Sequence, residues 1–192
     1  AGGVTLNMNM EVGDLLGSAQ LSGHGVSFAD LDNDGDEDIH LVVGGAYETD
    51  HFRNALFENP GHGNHWIGLK LQGARSNRPG IGARVKVLVQ EPGGRQRIIY
   101  DTVRSGGSSG ASPLRQHIGL GPAAAVESVE ILWPGSGARQ VIQGLKVDHL
   151  YQIREGNPEA TLIQLRELRL GGAKSTVATK TAPAATVVPS GS

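Results

Sequence analysis

Residues 83–103 read Ala83-Arg-Val-Lys-Val-Leu-Val-Gln-Glu-Pro-Gly-Gly-Arg-Gln-Arg-Ile-Ile-Tyr-Asp-Thr-Val103, and this stretch decides the fold class. Its first seven residues place apolar Ala83, Val85, Val87 and Val89 at every second position, the period of a strand with one buried face. Glu91-Pro-Gly-Gly94 then supplies a turn, because proline presets one backbone angle and the glycines tolerate positive φ. Residues 95–103 return as a second β-rich run, so the segment reads as a hairpin.

The same grammar recurs on both sides. Residues 66–71 (Trp-Ile-Gly-Leu-Lys-Leu), 126–133 (Val-Glu-Ser-Val-Glu-Ile-Leu-Trp), 138–142 and 149–153 are further short strands, and Pro134-Gly-Ser-Gly137 is a turn between two of them. Such spacing predicts an all-β sandwich or small barrel. Trp66 and Trp133 both sit in apolar alternation and are expected in the core. Upstream, residues 4–10 (Val-Thr-Leu-Asn-Met-Asn-Met) alternate as another strand, while 47–64 is polar, with a bend at Asn59-Pro60-Gly61. We place a boundary near Gly63. The expected units are an N-terminal strand with a loop-bearing hairpin over 1–63, a β domain over 64–156, and a strand plus tail over 157–192. Residues 161–170 are read as a strand. From 171 to 192 the chain is rich in Ala, Thr, Val, Ser and Pro, the composition of a tail or stalk.

Between two short β-rich runs lies Asp30-Leu-Asp-Asn-Asp-Gly-Asp-Glu-Asp38. Six acidic side chains in nine residues repel one another unless a cation holds them. Asp at loop positions one, three and five presents hard oxygens to Ca²⁺, and Gly35 permits the sharp bend. The expected ligands are Asp30, Asp32, Asp34 and Asp38 through side chains and Asp36 through its carbonyl. An EF-hand would need a bidentate Glu at position twelve. That position is Leu41, and the flanks are strands, so the unit is strand-loop-strand rather than helix-loop-helix.

Composition narrows the function classes. Seventeen Lys and Arg against nineteen Asp and Glu give a net charge of −2, with no basic stripe for nucleic acid. No apolar run approaches the roughly 20 residues of a membrane span. Cysteine is absent, which removes disulfides, thiolate metal sites and cysteine nucleophiles. The chain begins at Ala1 rather than Met, from which we expect a removed leader or a larger upstream region. His24, His40, His51, His62 and His65 surround the acidic loop, but none has the spacing of a helical zinc site. They are read as surface or turn residues.

Residues 26–45 (VSFADLDNDGDEDIHLVVGG) resemble an FG-GAP or VCBS-type repeat, the calcium-loop blade of integrin-like propellers. Five later blocks are similar to the ASPIC/UnbV domain: Asn64-His-Trp-Ile-Gly-Leu-Lys-Leu-Gln-Gly73, Ser76-Asn-Arg-Pro-Gly-Ile-Gly-Ala-Arg-Val85, Ser105-Gly-Gly-Ser-Ser109, Gln116-His-Ile-Gly-Leu-Gly121 and Val129-Glu-Ile-Leu-Trp-Pro134. The resemblance implies a secreted protein in which that domain follows FG-GAP repeats, as in the cartilage acidic protein group. One repeat is present here, where the family usually carries enough to close a propeller.

These readings lead to an extracellular, non-enzymatic, calcium-binding protein with a structural or adhesive role. Residues 4–10 and the Thr/Val-rich tail suggest self-assembly into a fibre by strand donation. The runner-up is the C-terminal part of a larger propeller protein that binds a ligand or partner. A metallohydrolase, with a transition metal at the histidines, is the third reading.

Overall fold

The computed structural model describes residues 23–43, 54–107 and 111–170. The expected strand at 4–10, His51, Ser108 and Ser109, and the tail from 171 onward lie outside the described residues. Everything described is strand, turn or loop: eleven strands in three sheets, none closed into a barrel.

The hairpin that fixed the fold class is present as β5 (Arg84–Gln90) and β6 (Gln96–Thr102), paired in unbroken antiparallel register from Arg84↔Thr102 to Gln90↔Gln96. The Glu91 amide donates to the Arg95 carbonyl at 2.8 Å and closes the turn. On the other edge of β5 lies β8 (Ala125–Leu132), followed by β9 (Arg139–Gln143), giving the order β6-β5-β8-β9. A second four-stranded sheet runs β11 (Ala160–Ile163), β10 (His149–Arg154), β4 (His65–Gln72), β7 (Gln116–Gly121). Its β4 and β10 pair in parallel, from His149↔Ile67 to Arg154↔Gln72.

These two sheets pack face to face because their inward residues are mostly apolar, with Gln116 of β7 the buried polar exception, its Nε2 donating to the Leu114 carbonyl at 3.0 Å. Ile67, Leu69 and Leu71 of β4 and Ile118 and Leu120 of β7 meet Val85, Val87 and Val89 of β5 and Val129 and Ile131 of β8. Side chains two apart share a face, so each alternating run contributes one wall of the core. Trp133 is the largest fully buried side chain, and its indole nitrogen donates to Gln140 Oε1 at 2.9 Å. Truncating a side chain of this kind to alanine costs about 3–5 kcal/mol. Trp66 departs from the expectation. The inward residues of β4 are 67, 69 and 71, so Trp66 falls on the opposite face and is only half-buried.

Loop ends are tied by one carboxylate. Glu155, just after β10, accepts from the amides of Ala74, Arg75 and Ser76 at 2.7, 2.7 and 2.8 Å, from Ser76 Oγ at 3.0 Å and from Ser136 Oγ. Burial alone would push this carboxyl up, but the hydroxyl and amide donors outweigh it and hold it down at about 2.

The third sheet, β1 (Gly23–Ala29), β2 (Asp38–Val43) and β3 (Ala55–Phe57), is antiparallel and carries the acidic loop between its first two strands. Residues 161–170 do not form one strand. Pairing with β10 ends at Ile163, and the chain then leaves the sheet. The Leu168 amide donates to the Asp32 carbonyl at 2.7 Å, and Asn33 Nδ2 donates to the Arg166 carbonyl at 3.0 Å. One amide and one carbonyl of this segment thus bond the acidic loop rather than a neighbouring strand.

Candidate metal centre

The acidic loop is shaped by its own short side chains. Asp32 Oδ1 accepts from the Asp34 amide at 3.3 Å and Asp34 Oδ1 from the Asp36 amide at 2.9 Å, two successive turns of the kind that Asp favours. Asn33 adopts φ 61° and Gly35 φ 101°, the first tolerated by asparagine and the second requiring glycine. Asp38 staples the base: Oδ2 accepts from the Leu31 amide at 3.0 Å and Oδ1 from the Asn59 amide at 2.9 Å. The expected fourth side-chain ligand is thus engaged by backbone donors on both oxygens.

This geometry brings Asp30, Asp32 and Asp34 together, with one carboxylate oxygen from each within 4.8 Å of the others. Asp36 and Asp38 are not part of that cluster; the Asp36 carboxylate lies toward Gly61, 2.6 Å from where a Cβ there would stand. Asp30 is the unusual member. Its side chain is 0% exposed, and neither of its carboxylate oxygens has a hydrogen-bond partner. A buried carboxylate left in that state costs several kcal/mol. Burial pushes the Asp30 carboxyl above its usual value, against the pull of the Arg115 guanidinium and of the Gly35 and Asn33 amides, which lie near the carboxylate but outside hydrogen-bond geometry. Burial also raises Asp32, opposed by the Asp34 amide and reinforced by the charge of Asp34.

Three clustered carboxylates, one of them orphaned, form an all-oxygen donor set. Such a set suits a hard divalent cation such as Ca²⁺ and is poorly matched to metals that seek nitrogen or sulfur. The residues present therefore fit the ion that the loop pattern implies. A bound cation would supply positive charge at the point where the fold has concentrated and desolvated negative charge.

The two-sheet unit forms the rest of the surroundings, and no spacing in the sequence pointed to these residues. Arg115, immediately before β7, donates through Nη2 to the Asp30 carbonyl at 3.0 Å and through Nη1 to Asn33 Oδ1 at 3.5 Å. Trp66 packs against Gly35 and stacks on His117 with ring centroids 4.9 Å apart. His117 is held neutral: burial, then the Arg115 charge, lower it to about 4. Of the histidines suspected from sequence, His62 is exposed and His65 Nδ1 lies 2.7 Å from Asp148 Oδ2. Among the described residues no histidine joins the carboxylate cluster.

Residues 73–160 match the model of the family described as ASPIC and UnbV. The matched span opens just after β4 and ends at the first residue of β11, so it takes in most of the two-sheet unit and leaves the acidic loop outside. No curated protein matches the chain.

Proposed function

We propose that this chain, a strand-loop-strand unit followed by a two-sheet sandwich whose residues 73–160 match the ASPIC and UnbV family, is a calcium-ordered structural module of an extracellular protein. In this reading Asp30, Asp32 and Asp34 bind one Ca²⁺. The ion holds the loop in the shape that docks on Trp66 and Arg115, and the role is adhesive or architectural rather than enzymatic. The single observation that carries the reading is the Asp30 carboxylate, fully buried beside two further carboxylates, with neither oxygen in a hydrogen bond and only a 3.6 Å charge contact to Arg115. Extracellular calcium modules bind weakly, with Kd on the order of 10⁻⁴ to 10⁻³ M, which suits surroundings where the ion is abundant. Thermal unfolding in chelator and in excess Ca²⁺ tests it: a melting temperature that rises with the ion supports the reading, and superimposable curves sink it.

A second reading is favoured by one face of the three-stranded sheet. Val26 and Phe28 of β1, Ile39 and Leu41 of β2, and Ala55 and Phe57 of β3 share that face by register. Val26 and Phe28 remain 44% and 40% exposed. An FG-GAP-type blade in a propeller of the cartilage acidic protein kind packs such a face on its neighbour. The chain would then act as the C-terminal part of a larger ligand-binding protein. Peptides upstream of Ala1 bearing further Asp-x-Asp-x-Asp-Gly loops in the natural source would favour it; a native mass of 20.1 kDa would remove it.

A further inference from the structure

The loop's carboxylates are not balanced by the loop itself. Among the described residues its one Lys or Arg ion pair is with Arg115, whose Nη2 lies 3.6 Å from Asp30 Oδ2. The guanidinium comes from the other sheet system, 85 residues away in sequence, and it is fixed in place. It donates to the Asp30 carbonyl and toward Asn33 Oδ1, and its side chain is only 21% exposed. The 3.6 Å approach to Oδ2 is a charge contact rather than a hydrogen bond, so it leaves the Asp30 oxygens open to a further partner.

We infer that Arg115 is a built-in counter-charge that sets the affinity and the charge selectivity of the cation site, an inference that rests on the calcium reading above. The three clustered carboxylates carry a formal −3, and Arg115 offsets one charge, leaving −2 at the cluster itself: a match for a divalent ion. Arginine stays protonated at any working pH, so the offset is permanent. Ligand charge count is a principal means by which calcium loops tune their affinity. Arg115 acts on the ion through space and through the position of Asp30, so it is a positioning residue and not a ligand.

The consequence has a sign. Neutralising Arg115 should tighten cation binding, although it removes two hydrogen bonds that help to order the loop. It should tighten a trivalent ion more than a divalent one, since Coulomb energy scales with ion charge. A tenfold gain for Ca²⁺ would correspond to about a thirtyfold gain for Tb³⁺ at the same site. A merely structural role for Arg115 would weaken both ions together and leave their ratio unchanged.

The test is the affinity of Ca²⁺ and Tb³⁺ for the full chain. Calorimetry reads Ca²⁺, and Tb³⁺ is read by luminescence sensitised through Trp66, which packs on the loop. The proteins are wild type, Arg115→Gln and Arg115→Lys, each shown to be folded by its melt in chelator. The expected result is tighter binding of both ions by Arg115→Gln with a raised Tb³⁺/Ca²⁺ preference, and a preference near wild type for Arg115→Lys. If Arg115→Gln does not fold, Arg115→Met, neutral with an apolar stem, takes its place. Weaker binding of both ions, or an unchanged preference, would overturn the inference while leaving the calcium reading intact. A wild-type chain that binds neither ion would remove both.

Discussion

A Cβ on Gly35 would lie 2.1 Å from Nε1 of Trp66: the indole of the sandwich occupies the space where any larger loop residue would begin its side chain. Two constraints meet at this glycine, the contact and a φ of 101°. The acidic loop is therefore docked on the two-sheet unit and does not stand free. Gly35→Ala should destabilise the protein by about 1–3 kcal/mol, through strain at a left-handed position and displacement of the indole. The measurement is chemical denaturation. A change within about 0.5 kcal/mol would mean that the loop is not held against Trp66.

Two aspartates in the same cluster should behave in opposite ways. Asp30→Asn removes a buried charge at the expense of its 3.6 Å contact with Arg115; because desolvation outweighs that contact, the variant should be more stable than wild type in chelator, while its gain on adding Ca²⁺ should vanish. Asp34→Ala removes an exposed member of the cluster. It should lower the chelated melt slightly, because the Asp36 amide loses its acceptor, and weaken calcium binding. Differential scanning calorimetry with and without the ion separates the two; a loss of chelated stability in Asp30→Asn would show that this carboxylate is satisfied in the ion-free protein.

Much of this was legible in the sequence, and the exceptions have physical causes. The β5–β6 hairpin, β8 and β10 follow from period-two alternation punctuated by Pro and Gly. The Asp30, Asp32, Asp34 cluster follows from spacing within one turn. Trp66 and Ile67 are adjacent apolar residues, and alternation cannot tell which of the pair faces inward until the sheet pairing is known. Residues 164–170 carry no local signal that the Leu168 amide and the Arg166 carbonyl bond the acidic loop. Arg115 and His117 reach the site only because β7 pairs beside β4, a long-range relation that no motif encodes.

Acid stability should report Glu155. Its folded value lies near 2 against an ordinary 4.5. A depressed carboxylate contributes stability that is present above the unfolded value and lost as pH falls through the folded one. Stability should therefore decline between about pH 4.5 and pH 2. Glu155→Gln should be less stable at neutral pH and should show a shallower decline across that window. Equal slopes for the two proteins in acid titrations of the melting temperature would assign the decline to other carboxylates.

Assembly through strand donation is a separable part of the proposed role. It rests on the β propensity of Thr176-Val-Ala-Thr-Lys-Thr181 and Thr186-Val-Val188, beyond the described residues. Deleting residues 173–192 should yield monomers that keep the calcium response, measured by sedimentation velocity at high concentration. Unchanged assemblies, or a full-length protein that stays monomeric with Ca²⁺, would end that idea.

The most direct measurement is a calorimetric titration of Ca²⁺ into the chelator-stripped chain, with Asp34→Ala alongside. Binding of about one ion per chain is expected, with Kd on the order of 10⁻⁴ to 10⁻³ M and a clear loss of affinity in the variant. At 100 times Kd the ion should add about 2.7 kcal/mol of stability. No saturable heat with the wild-type chain, or an identical isotherm for Asp34→Ala, would contradict a calcium centre built on Asp30, Asp32 and Asp34.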